Sequence, residues 1–138
     1  RGADPGLLEE LPTLRGGREA LARVAEGAPA AAPACARLEA MLDLVGAHGA
    51  GDAVMVDLGI MRDWSYYSGV VMEAYAPGVG APVAMGGRYD GLAARFGRAR
   101  PAVGFAITLD LLHRALAAGA PAGAPVRPGV CLLYTSDA

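Results

Sequence analysis

Two segments hold the side chains best placed to do chemistry: Tyr66-Tyr67-Ser68-Gly69 and Gly86-Gly87-Arg88-Tyr89-Asp90-Gly91-Leu92. Paired glycines against an Arg-Tyr-Asp triplet make poor core material, because glycine weakens a strand and three polar groups at its end demand partners. Glycine lets a ligand approach the backbone closely, and arginine offers a planar fork for carboxylate or phosphate. The pattern reads as the wall of a small-molecule pocket. The competing reading is purely structural: a hairpin strand running through a glycine bulge into a helix cap. Arg62, ahead of the tyrosine pair, can serve a carboxylate or pair with Asp63 or Asp57. Tyr66 and Tyr67 alternate if they lie on a strand, so one is expected in the core and the other on a pocket wall. Which is which stays open, as does the choice between helix cap and ligand contact for Asp90. For Glu73 a solvent-facing strand carboxylate is the favoured reading.

Composition excludes several alternatives. The 138-residue chain has a net charge of −2, and its basic residues are all arginines scattered along the sequence. Nucleic-acid binding needs a concentrated basic face, and none is present. No uncharged apolar run reaches membrane-spanning length, so a cytoplasmic location is expected. The chain opens on Arg1 rather than methionine and reads as a piece of something longer. Cys35 and Cys131 lie far apart without metal-like spacing and read as buried or incidental thiols. His48 and His113 are expected near helix ends, capping carbonyls rather than holding metal. No cofactor and no metal is expected.

The elements that must position these residues follow from periodicity. Leucines at 7, 8, 11 and 14, then Leu21 and Val24, give two short helices broken at Gly16-Gly17. Residues 27–33 are an alanine- and proline-rich connection. Leu38, Met41, Leu42 and Val45 mark a helix over 34–48 stopped by Gly49. Residues 53–60 form a buried strand containing Asp57, which needs an arginine partner if buried. Residues 66–75 and 83–88 flank a Pro-Gly turn as an antiparallel hairpin. Asp90 is placed to cap a short helix ending at Phe96. Pro101–Ile107 is strand-like, and Thr108 can cap a final helix with Leu109, Leu112 and Leu116 on its apolar face. The order predicts an α+β fold, an antiparallel sheet flanked by helices.

The segments 62–69 (RDWSYYSG), 86–92 (GGRYDGL) and 101–106 (PAVGFA) resemble the histidyl-tRNA synthetase core, in order and with compatible spacing. The likeness is good over about 50–118 and looser over 7–49. It implies a class II aminoacyl-tRNA synthetase-like core occupying residues 1–120. Residues 121–138 are then a Pro/Gly linker and a non-native tail, and the strand-like pattern of that tail is given no functional weight.

Two families share this core: the synthetase itself, and the ATP phosphoribosyltransferase regulatory subunit, its non-catalytic paralogue. The resemblance implies histidine-binding roles for Arg62, Tyr66, Tyr67, Gly86, Gly87, Arg88 and Tyr89. In class II synthetases the helix after the last motif carries an arginine that holds ATP phosphate; here Leu111 aligns with it, and the next arginine is Arg114. Losing such a partner typically costs about 2–5 kcal/mol. That slows a synthetase by roughly one and a half to three and a half orders of magnitude. Trp64-Ser65 before the tyrosines also departs from the synthetase pattern. The resemblance therefore implies no catalytic residue in this chain. It implies a regulatory role in the first step of histidine biosynthesis and feedback control by L-histidine. The partners it implies are the short-form catalytic subunit and a second copy of the regulator, forming a homodimer within a hetero-oligomer. A synthetase fragment, or a free-standing amino-acid-binding or dimerisation module, is the alternative.

Overall fold

The computed structural model describes residues 3–60 and 66–118, together with the backbone of 129–134. Helix α1 (Pro5–Glu10) starts where the Asp4 carboxylate accepts the Gly6 N–H and proline occupies the first turn. A 3-10 turn at Leu11–Thr13 leads into the short strand β1 (Arg15–Gly16) at the expected glycine break. Helices α2 (Arg18–Gly27) and α3 (Ala32–Ala47) follow, and the connection between them contains a 3-10 turn at Pro29–Ala31. His48 stands at the C-terminal end of α3 as predicted, where its backbone N–H, not its ring, reaches the Leu44, Val45 and Gly46 carbonyls.

The remaining elements are β2 (Val54–Asp57), β3 (Val70–Tyr75), β4 (Ala84–Arg88), β5 (Val103–Ile107), α4 (Leu109–Ala117) and β6 (Gly129–Tyr134). The described strands form one sheet in the order β1-β2-β6-β3-β4-β5. Every pairing is antiparallel except β2 with β6. The β3–β4 hairpin closes through Val83 N–H to the Ala74 carbonyl at 2.7 Å, and Gly78 takes the left-handed φ of 80° that its turn requires. The mixed α+β architecture is as expected. The strand-like pattern near the end of the chain, given no functional weight above, forms a strand. Residues 129–134 run between β2 and β3, with Leu133 opposite Val71 and Cys131 opposite Glu73. This makes β3 an interior strand.

Side chains alternate across β3, which sorts the molecule into two faces. Val70 and Met72 join Leu7, Leu21, Val24, Cys35, Leu38 and Val56 in a core beneath the helices. Val71 turns the other way and packs with Tyr67, Ile60, Tyr66 and Tyr89. Asp57 is buried at the end of β2, as anticipated, and its partner is Arg15 at 2.6 Å. The Gly59 N–H satisfies its second oxygen at 2.8 Å.

Two predicted helix details change. Thr108 stands at the N-cap of α4 without a side-chain cap bond, and Leu109 and Leu116 are exposed, leaving Leu112 as the half-buried member of the expected apolar face. His113 lies within α4 rather than at its end. The segment after Asp90 is a 3-10 turn at Ala93–Phe96 with Leu92 at its N-cap, so Asp90 does not cap it.

Candidate functional site

Three tyrosine rings meet on the face of the sheet opposite the helices. Tyr66 and Tyr67 have centroids 4.5 Å apart, and Tyr89 lies 6.4 and 6.5 Å from them. Strict alternation of the pair fails because both residues precede β3, which starts only at Val70; off the strand, adjacent rings can share one side. Tyr67 is the buried ring and Tyr66 the half-buried one. Burial, then the hydrogen bond with Tyr66, pushes the Tyr67 phenol well above its ordinary value, with the charge of Glu73 adding to the rise.

Glycines form the floor under these rings. A Cβ on Gly87 would stand 2.8 Å from Tyr67 Cε1 and 2.5 Å from the Val70 carbonyl oxygen. Gly104, directly opposite Gly87 on β5, lies beneath the Tyr89 hydroxyl, which a Cβ there would strike. Both positions therefore need glycine to admit the tyrosines, before any ligand enters. Gly86 belongs to the opposite face, where a Cβ would collide with the Gly104 carbonyl and with Phe105 at 2.5 Å. Its role is the close approach of β4 to β5.

Glu73 departs furthest from its favoured reading. It is only 2% exposed, on the same face of β3 as Val71, and accepts a 2.6 Å hydrogen bond from the Tyr75 hydroxyl. A buried carboxylate near tyrosine hydroxyls can receive a cationic or N–H-bearing group such as an imidazole. The sequence signal was the two-residue step from Val71, which becomes informative only once β3 is known to be interior.

Arg88 alternates with Gly87 and leaves the tyrosine face. Its stem passes over Gly69, where a Cβ would stand 3.1 Å from Cδ, and its Nε–H donates to Asp90 at 2.8 Å. Asp90 ties a corner together: its other oxygen accepts the Ala102 N–H at 3.0 Å, and its own N–H donates to the Ser68 hydroxyl at 2.8 Å. The Arg88 guanidinium, then the Ala102 N–H, hold the Asp90 carboxyl below its ordinary value. Of the expected site residues, Tyr66, Tyr67, Gly87 and Tyr89 come together, whereas Gly86 and Arg88 lie on the other face. Arg62 lies outside the described residues.

The histidyl-tRNA synthetase family model matches residues 3–112. The chain belongs to the histidyl-tRNA synthetase family. Within it, the chain is 51% identical over 117 residues to an ATP phosphoribosyltransferase regulatory subunit of Moorella thermoacetica, covering 83% of this chain and 30% of that protein. It is 46% identical over 125 residues to the corresponding subunit of Anaeromyxobacter dehalogenans strain 2CP-C, covering 87% and 36%. A crystal structure from Bacillus halodurans, described as an ATP phosphoribosyltransferase regulatory subunit/histidyl-tRNA synthetase, superposes with a TM-score of 0.75 at 36% identity. The match covers 80% of this chain and 30% of that one. The chain thus spans about a third of the length of these relatives. The fold is class II synthetase-like, and the resemblance carried by the tyrosine and glycine segments holds.

For a histidyl-tRNA synthetase-family core, the end of β5 is where the two readings diverge. Helix α4 begins directly after Thr108, so Leu111 falls in its first turn, half-buried. Arg114 lies in the last turn and is exposed. Among the described residues no helix is long and apolar enough to cross a membrane, and no cluster of three or more metal-ligating side chains occurs.

Proposed function

We propose that this chain is part of a non-catalytic regulatory subunit of ATP phosphoribosyltransferase, acting at the first step of histidine biosynthesis and in its feedback regulation by histidine. The observation that carries the reading is Leu111 in the first turn of α4, where a synthetase of this fold needs a phosphate-binding arginine. Leucine neither neutralises phosphate nor donates a hydrogen bond. The helix start at Thr108 argues against a slipped alignment that would bring Arg114 to that place.

The tyrosine face supports the sensor reading. Histidine binds against the rings of Tyr66, Tyr67 and Tyr89, with the Glu73 carboxylate on the same face. Arg62 is the proposed carboxylate partner. Histidine regulates by binding one state of the complex more tightly than another, and equal affinity for both would shift nothing. The partner is the short-form catalytic subunit, and the assembly is a cytoplasmic hetero-oligomer built on a homodimer of the regulator. The protein in its full natural length is tested by histidine titration, by histidine-dependent pyrophosphate exchange, and by co-elution with the catalytic subunit. Binding and co-elution without exchange support the proposal. Exchange would establish a synthetase instead, and absence of histidine binding would remove both.

A further inference from the structure

Glu73 and Tyr75 stand two residues apart on β3, so their side chains leave the same face of the sheet, the one to which Val71 and the three tyrosine rings belong. Tyr75 is 39% exposed at the end of the strand, and its hydroxyl lies 2.6 Å from Glu73 Oε2. On the reading of this face as a histidine site, we infer that Tyr75 is a positioning residue. Its hydroxyl holds the Glu73 carboxylate in the orientation that accepts the ring N–H of the ligand. The site thereby discriminates an imidazole from a five-membered ring without an N–H.

Three features carry it. The 2.6 Å separation falls in the range of about 2.5–2.7 Å for hydroxyl-to-carboxylate bonds, which are roughly twice as strong as neutral ones. The terminal torsion of a glutamate is broad and two-fold, so a fixed donor on one oxygen selects one plane for the carboxylate. Glu73 is almost wholly buried, so bulk water does not compete for that selection. The second feature is proximity to the rings: the Glu73 charge contributes to the rise of the Tyr67 phenol. The third is placement. Tyr75 ends β3, whereas Tyr66 and Tyr67 precede its start at Val70, so Tyr75 acts through Glu73 and not on the ligand. An ionised carboxylate offers about four lone-pair positions and the Tyr75 bond takes one. The ligand needs one more, and Glu73 need not be otherwise unpaired.

Isothermal titration of the natural-length protein with L-histidine and with β-(2-thiazolyl)-L-alanine tests the assignment. The second ligand keeps a five-membered ring with a ring nitrogen but has no ring N–H. The unaltered protein should bind histidine about tenfold more tightly or better, the scale of one hydrogen bond to a charged group. Tyr75→Phe removes the hydroxyl and keeps the ring. It should weaken histidine by about fivefold to tenfold and leave the thiazolyl ligand within about twofold, so that the preference narrows. Tyr75 is partly exposed, which makes the change compatible with folding; a circular-dichroism melt verifies it, and Tyr75→Leu, also without the hydroxyl, is the second variant. Equal affinities of the unaltered protein for the two ligands overturn the assignment. So does an unchanged preference in Tyr75→Phe, or an equal loss for both ligands, which would make the residue merely structural. Absence of histidine binding by the unaltered protein removes the histidine reading of the face as well; the other failures leave that reading standing.

Discussion

Replacing Gly87 by alanine places one methyl group where the tyrosine face has no room. The new Cβ would stand 2.5 Å from the Val70 carbonyl oxygen and 2.8 and 2.9 Å from Tyr67 Cε1 and Cδ1. Carbon–carbon contacts settle at about 3.5–4.0 Å, so the ring must retreat by roughly 0.7 Å or more. Tyr66, with its centroid 4.5 Å behind, resists that movement. The Val70 oxygen belongs to the sheet backbone and yields less readily still. Overpacking of this kind costs about 1–3 kcal/mol, and a backbone clash combined with a backed ring places Gly87→Ala at about 2–3 kcal/mol. Displacing Tyr67 also lowers histidine affinity by about tenfold, as expected for one hydrogen bond to a charged or polar ligand. Gly91→Ala is the control, because its Cβ would meet nothing within 4 Å. Surface changes of that sort stay within about 0.5 kcal/mol. Urea unfolding midpoints and histidine titrations of the two variants, in the natural-length protein, decide the matter. Equal stability and equal histidine affinity for both variants would refute the placement of Tyr67 over Gly87.

Three further outcomes follow from the same geometry. Arg15→Ala leaves the buried Asp57 carboxylate with the Gly59 N–H after losing its 2.6 Å ion pair. Because Arg15 is half exposed, the expected loss is about 1–3 kcal/mol in urea unfolding rather than the larger figure for a fully buried pair. A change below about 0.5 kcal/mol would contradict it. The Tyr67 phenol, raised by burial and by Tyr66, ionises more readily unfolded than folded, so stability is full below about pH 10 and falls as pH rises beyond it. Phenolate absorbance should reveal one resistant tyrosine, and Tyr67→Phe should blunt the alkaline loss; an unchanged alkaline profile counts against the burial. The Asp90 carboxyl, lowered from 3.8 by Arg88 and the Ala102 N–H, contributes stability above its ordinary value and loses it as pH falls through the lowered one. The stability gap between the unaltered protein and Asp90→Asn should therefore close in acid, and a gap independent of pH would show that the Arg88 pairing contributes nothing.

Local rules made much of the fold legible. The Pro-Gly turn and its flanking apolar runs specified the β3–β4 hairpin, and a carboxylate inside a β-branched run required an arginine, which proved to be Arg15. The site was half legible: composition marked Tyr66, Tyr67, Gly87 and Tyr89, but strand parity could not divide them until the true start of β3 was known. Glu73 was hidden because its burial depends on β3 being interior, and that depends on β6, paired from more than fifty residues away. Asp90 had the residue type and position of a helix cap, yet its carboxylate meets Arg88 and the Ala102 N–H. Competition between a local cap and a cross-strand partner is decided by tertiary structure. Gly86 and Gly87 look equivalent in sequence and act on opposite faces.

The proposed regulation without catalysis is tested by the activity of the purified short-form catalytic subunit. Formation of phosphoribosyl-ATP is followed with and without the natural-length protein, across a histidine titration. The protein should stimulate the catalytic subunit and histidine should inhibit the complex, with Tyr67→Phe shifting the inhibition to higher histidine. Catalytic activity indifferent to the protein at every histidine concentration would contradict it.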